Sequence, residues 1–188
     1  MNVVILNGSP RKAGKVSQML HLIEDDAVSK KAGTVQFFNV NELSFKSCTG
    51  CMKCRNSGCC VLPEDGAHAV ARAVKDCDVI VVGTPVYWAN MSGELKCLFD
   101  RLVGVLMGES PMGIPKPLHK GKKALVVTAC TTPFPFNILC AQSTKAVASV
   151  KEILVSSGFK IKRTIVVAGT KQKNELPEHI RKKLKLKC

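Results

Sequence analysis

The 188-residue sequence holds one Trp, one Tyr and only 14 acidic residues against 28 Lys and Arg, for a net charge of +14. So large an excess of positive charge directs attention to nucleic acid. With so few aromatics and no recognisable nucleic-acid module, that class is set aside in favour of phosphorylated small molecules. No apolar run approaches the roughly eighteen residues of a membrane span. A basic leader with a small-residue cleavage site is missing ahead of the first apolar run, so the cytoplasm is the expected compartment. His21, His68, His119 and His179 offer no pair at metal-ligand spacing, and no nucleophile elbow serves a serine hydrolase. Repeats, low-complexity stretches and interdomain linkers are absent too. What is left is a single domain with a sizeable core.

The chain does have alternation. Val3-Val4-Ile5-Leu6 is a short β-branched run closed by Asn7-Gly8-Ser9-Pro10, and reads as a buried parallel strand. Val16, Met19, Leu20, Ile23 and Ala27 then recur at helical spacing, and Lys30-Lys31-Ala32-Gly33 gives a basic last turn and a glycine stop. Further strands are expected at 34–40, 78–83, 123–128 and 159–168, with helices at 66–76, 93–108 and about 140–157. Strands alternating with helices specify an α/β fold with a parallel sheet and right-handed crossovers. At this length the expected form is doubly wound, five strands in the order 2-1-3-4-5 with helices on both faces. Ligands in such sheets bind beyond the carboxyl ends of the strands, so the loops after strands 1, 3 and 4 should be unusual, and they are. Residues 44–64 and 108–121 read as excursions, 1–170 as the domain, and 171–188 as a basic C-terminal helix.

In the first loop Arg11, Lys12 and Lys15 join the hydroxyls of Ser9 and Ser17. Strand, tight polar loop, helix is the geometry that aims backbone N–H groups and a positive helix end at an anion. A phosphate is the expected guest, with Ser9, Arg11, Lys12 and Ser17 as its ligands. The Lys-Ser/Thr ending of a P-loop and the three-glycine dinucleotide fingerprint are both missing. The loop after strand 3 holds the single Tyr and the single Trp within Pro85, Val86, Tyr87, Trp88, Asn90, Met91 and Ser92. Aromatics beside small polar residues suit a flat heteroaromatic ring; a cap on the core is the alternative. The loop after strand 4 adds Thr131 and Thr132.

Gly8-Ser9-Pro10-Arg11 with Gly14 and Ser17, and Thr84 to Trp88 followed by Met91-Ser92-Gly93, Leu95-Lys96 and Asp100-Arg101, resemble the two flavin loops of the NADPH-dependent FMN reductases. That family is flavodoxin-like, and the iron–sulfur flavoproteins are close to it. The resemblance covers most of residues 1–170 and departs at Lys15 and Val16, where the family usually has Asn and a hydroxyl residue. It implies a flavodoxin-like sheet, with the FMN phosphate in the first loop. The isoalloxazine ring would lie along Pro85 to Trp88, bordered by Asn90, Met91 and Ser92, with Thr131 or Thr132 at the flavin or its ribityl chain. It also implies NADPH or NADH as electron donor, a flavin, quinone or other small acceptor, and a homodimer or homotetramer. No acid–base residue is assigned, because the cofactor carries the chemistry. A non-catalytic binding protein on the same scaffold is the alternative.

Of the ten cysteines, Cys48, Cys51 and Cys54 are separated by two residues each, and Cys59 and Cys60 follow. Three thiolates at this spacing with a fourth nearby suit a four-iron cluster. Four thiolates also suit zinc, and a loop of reduced thiols covering a cofactor is the third alternative. The resemblance to iron–sulfur flavoproteins puts Cys48, Cys51, Cys54 and Cys60 at the ligand positions, with Cys59 one residue off. A cluster would make the protein an electron carrier, with ferredoxin as a candidate donor. Cys77, Cys97, Cys130, Cys140 and Cys188 are isolated and read as structural or incidental. In the tail Ile180, Leu184 and Leu186 alternate with basic residues, a stripe expected to pack on the domain or a partner subunit rather than a membrane.

Overall fold

The first apolar run becomes the centre of β1 (Asn2–Asn7), which lies beside β2 (Thr34–Asn39) on one side and β3 (Val79–Pro85) on the other. A short antiparallel hairpin, β4 (Met107–Glu109) with β5 (Pro115–Pro117), stands apart. β6 (Lys123–Ala129) and β7 (Lys160–Val167) extend the main sheet from β3, giving five parallel strands ordered β2-β1-β3-β6-β7. The computed structural model describes every residue except Ala32, Pro111, Lys173, Asn174, Lys187 and Cys188. The expectations for Ala32 in the first helix stop and for Cys188 therefore lie outside the described residues.

Alternation along the strands builds two apolar layers, because successive side chains point to opposite faces. Val4, Leu6, Ile80, Val82 and Val126 meet α3 (Gly66–Asp76), α4 (Gly93–Arg101) and α7 (Gln142–Ser156) through Val70, Val74, Leu95, Leu98 and Leu154. Val3, Ile5, Val79, Val81 and Val127 meet α1 (Lys15–Ser29) through Val16, Met19, Leu20 and Ile23. The tail joins this second layer: Ile180, Leu184 and Leu186 are buried against the chain's own domain. Its helix α8 (Glu178–Lys183) is shorter than the 171–188 expected, since Pro177 at its N-cap has a fixed φ and no N–H to continue a helix backwards. No helix among the described residues is long and apolar enough to cross a membrane.

The helix expected over 93–108 is interrupted. α4 stops at Arg101, a single turn α5 (Val103–Leu106) follows, and Met107 enters β4. The bend lets α2 (Cys54–Ser57) settle on α5, so closely that a Cβ at Gly104 would come 2.5 Å from the Cys54 carbonyl oxygen. Residues 108–121 are likewise not a bare excursion, since they supply most of the hairpin. The loop after β6 contains a turn of helix, α6 (Phe136–Leu139), before α7.

His119 is buried, stacked on Phe159 at 4.5 Å, and its Nε2 lies 2.9 Å from the Val105 carbonyl. Nδ1 has no partner among the described residues. Burial lowers the ring's pKa, and nearby Lys122 adds to this against the opposing Val105 bond. The unfolded chain therefore binds the proton more readily, and the neutral ring's contribution, complete above the unfolded value, is lost as pH falls below about 6.5. The thermal midpoint should drop between about pH 7 and about pH 5, and this dependence should flatten in His119→Gln.

Candidate functional site

The loop after β1 is organised from beneath by Asn7, which is buried. Its amide donates to Ser17 Oγ and to Asn39 Oδ1, both at 3.0 Å, and its carbonyl oxygen accepts the Ser9 N–H at 3.1 Å. Ser17 Oγ in turn donates to the Arg11 carbonyl at 2.7 Å. The loop closes with the Gly14 N–H on that same carbonyl at 3.0 Å, where a Cβ at position 14 would press within 3.0 Å of the Arg11 side chain. α1 then begins with no side chain capping its N-terminus and no acidic residue in its first turn. Its positive end is left for an outside anion. Replacing Asn7 with leucine should leave the Ser9 N–H and the Asn39 carbonyl oxygen unpaired and cost about 1–3 kcal/mol, read as a lower denaturant midpoint.

A cleft of about 410 Å³ opens at the carboxyl edge of the sheet. Ser9, Arg11, Ala13, Gly14, Lys15 and Val16 form one wall, and Pro85, Val86, Tyr87, Ala129, Thr131 and Thr170 form the rest. Six residues expected at the site therefore line it: Ser9, Arg11, Pro85, Val86, Tyr87 and Thr131. The others have different work. Lys12 turns away to Glu42, an exposed ion pair at 2.7 Å whose hydrogen bond raises the lysine pKa and lowers that of the carboxylate. Ser17 is buried under the loop with its hydroxyl committed to Arg11 and Asn7.

Trp88 is 99% exposed at the tip of a two-residue turn in which it and Ala89 both have positive φ, 50° and 57°. Asn90 closes that turn, exchanging backbone hydrogen bonds with Tyr87 at 2.9 and 3.0 Å. Two non-glycine residues in the left-handed region cost energy, so the turn carries strain beside the cleft. Met91 is buried in the core layer that α4 also joins. Ser92 is buried against Gly8; its N–H donates to Thr84 Oγ1 at 3.0 Å, and its hydroxyl has no partner among the described residues. Thr132 offers its carbonyl to the Gly169 N–H and does not line the cleft. Ala13, Ala129 and Thr170 were not anticipated, and Gly14 only as part of the first-loop motif. Thr170 follows β7, far in sequence from the other walls, and only the strand order brings it near.

The cysteine segment carries donors aimed at sulfur. Cys48 Sγ accepts the Gly50 N–H at 3.4 Å, and Cys60 Sγ accepts Arg101 Nε–H at 3.1 Å. The Lys53 N–H lowers the Cys51 pKa, helped by the Thr49 hydroxyl and the Lys53 charge against some desolvation. Cys54 is raised, first by burial and then by the charges of Cys60, Cys48 and Cys51. The four sulfurs thus sense one another, but they do not converge on one point. Among the described residues no group of three or more His, Cys, Asp or Glu could hold a metal ion, so the tight tetrahedron that zinc requires is not formed. So placed, the four cysteines do not fit a four-iron cluster either, since that too needs its thiolates to converge.

The NADPH-dependent FMN reductase family matches residues 1–162. An iron-sulfur flavoprotein of Clostridioides difficile is 23% identical over 185 residues, 98% of this chain and 75% of that protein. One from Archaeoglobus fulgidus is 32% identical over 126 residues, 65% of this chain but only 51% of that protein. The chain thus spans about half the length of this second relative. Among solved structures, an FMN-dependent NADH-azoreductase from Bacillus anthracis, in complex with FMN, superposes with a TM-score of 0.73 at 13% identity, covering 98% of this chain and 96% of that one. At that identity the likeness is one of fold.

Proposed function

The chain belongs to the NADPH-dependent FMN reductase family, and from that premise we propose that it is an FMN-dependent oxidoreductase. Electrons enter from NADPH or NADH and leave to a flavin, quinone or other small acceptor. One observation carries the reading: the uncapped, acid-free start of α1 shares a cleft with Pro85, Val86 and Tyr87. The residues fit FMN. Ser9, Arg11 and Lys15 with the α1 terminus suit a phosphate, Thr131 and Thr170 suit a polyol chain, and Pro85 to Tyr87 suit a planar ring. FMN supplies the redox chemistry when bound. The chain's part is to bind the anion, orient the ring and exclude water from one face. No side chain is asked to move a proton. Steady-state oxidation of NADPH or NADH by the FMN-supplemented protein tests this. Turnover disposes of a non-catalytic binder, and failure to take up FMN at all overturns the reading.

A second reading adds a four-iron cluster held by Cys48, Cys51, Cys54 and Cys60, making the protein an electron carrier that accepts from ferredoxin. The cysteine spacing and the names of the relatives support it, against the placement of the described sulfurs, which form no group that could hold a metal ion. Iron and acid-labile sulfide counted after purification without oxygen decide it. The exposed Trp88, Phe134, Phe136 and Leu139 support a homodimer or homotetramer whose partner covers the open cleft. A monomeric mass by light scattering would contradict that.

A further inference from the structure

We propose a second binding site, at the amino edge of the sheet and opposite the cleft, for a small carboxylate with an apolar body. The site is independent of what fills the cleft. A cavity of about 300 Å³ opens there, lined by Lys123, Lys162 and Arg163 and by Val79, Leu125 and Leu186, beside Met1. The three apolar side chains are buried and form its floor. An irregularity in the strand pairing gathers the cations. Ala124 pairs with Ile161 and Leu125 with Arg163, so Lys162 is an extra residue in β7 with no partner in β6. In a regular strand neighbouring side chains point to opposite faces, which would part Lys162 from Arg163. A bulge bends the strand and re-aims a side chain. Here both residues line one cavity, and Lys123 joins them.

Charges of one sign held together repel one another, and the protein does not cancel these. No carboxylate lines the cavity. Lys123 and Lys162 form no ion pair among the described residues. Asp78 is committed to the Asn2 N–H at 2.7 Å, and Asp26 to Lys30 at 2.8 Å and the Leu186 N–H at 2.7 Å. Arg163 fixes the last wall: Nη1 donates to the Lys183 carbonyl and, at 3.1 Å, to that of Lys185, which seats the tail with Leu186 at the cavity. The volume is at the small end of ligand sites. A carboxylate would meet the two lysines through charge-assisted hydrogen bonds, while its apolar body covers Val79, Leu125 and Leu186.

Methyl NMR of the full chain titrated with sodium hexanoate tests this, with hexan-1-ol and hexylammonium chloride as matched probes lacking the negative charge, all at constant ionic strength. Hexanoate should give saturable shifts at the methyls of Val79, Leu125 and Leu186, and none at Val16 and Val86, which line the cleft. The other two probes should give no saturable shift. The thermal midpoint should rise by about 3 °C at a roughly tenfold excess of hexanoate over its dissociation constant. The double variant Lys123→Gln, Lys162→Gln should bind hexanoate about tenfold more weakly, the worth of one charge-assisted hydrogen bond. No saturable response, shifts gathered at Val16 and Val86, equal binding of hexanol, or undiminished binding by the double variant would each overturn the proposal. If the double variant does not fold, the contrast among the three probes in the unmutated chain still judges it.

Discussion

Arg101→Met should cost about 3–5 kcal/mol of stability, seen as a large fall in the denaturant midpoint, because it strands a mostly buried carboxylate without its counter-charge. The buried guanidinium ties α4, α3 and the segment leading to the cysteines into one unit. Burial alone would raise the Asp65 pKa. The Arg101 hydrogen bonds, the Lys46 N–H, His68 and the Arg101 charge outweigh it and hold the carboxyl at about 2, down from 3.8. The sign follows: the unfolded carboxyl takes its proton first, so this stabilisation is complete above the unfolded value and disappears as pH falls through the folded one. Acid unfolding of Arg101→Met should consequently begin at higher pH than in the unmutated chain, monitored by circular dichroism.

Arg11→Ala should weaken FMN binding by roughly tenfold to a hundredfold, the range of about 1.5–3 kcal/mol that a charge-assisted hydrogen bond contributes. Lys12→Ala, by contrast, should leave it close to unchanged, because that ammonium is engaged with Glu42 away from the cleft. Flavin fluorescence titrated with each variant measures both. The contrast is the sharper test, since the two cations are neighbours in sequence and a general loss of positive charge would affect them alike.

The difference between Arg11 and Lys12 also marks where the sequence stops being readable. The strand periodicities, the α1 spacing and the position of the cleft follow from local pattern and from the rule that parallel sheets bind ligands beyond their carboxyl ends. Which way a side chain turns does not. Lys12 was drawn off by Glu42, a residue 30 positions later, as the register of β2 beside β1 dictates. Ser17 read as a phosphate ligand because it adds a hydroxyl to a basic loop that resembles a flavin loop; its place in the first turn of α1 puts it underneath that loop, where its hydroxyl donates to the Arg11 carbonyl. Met91 and Ser92 share a motif with Tyr87 yet fall on the core side of the turn that Asn90 closes. Asn7 read as a turn former, and its role as the buried tie among β1, β2 and α1 is visible only once the strands are adjacent.

The cleft as an FMN site is the central claim, and a titration of the purified protein with FMN, followed by quenching of flavin fluorescence and by the flavin retained after gel filtration, tests it most directly. Saturable binding stoichiometric with the chain, weakened in Arg11→Ala and preserved in Lys12→Ala, is the predicted result. Absence of saturable binding, or equal binding by all three proteins, would contradict it.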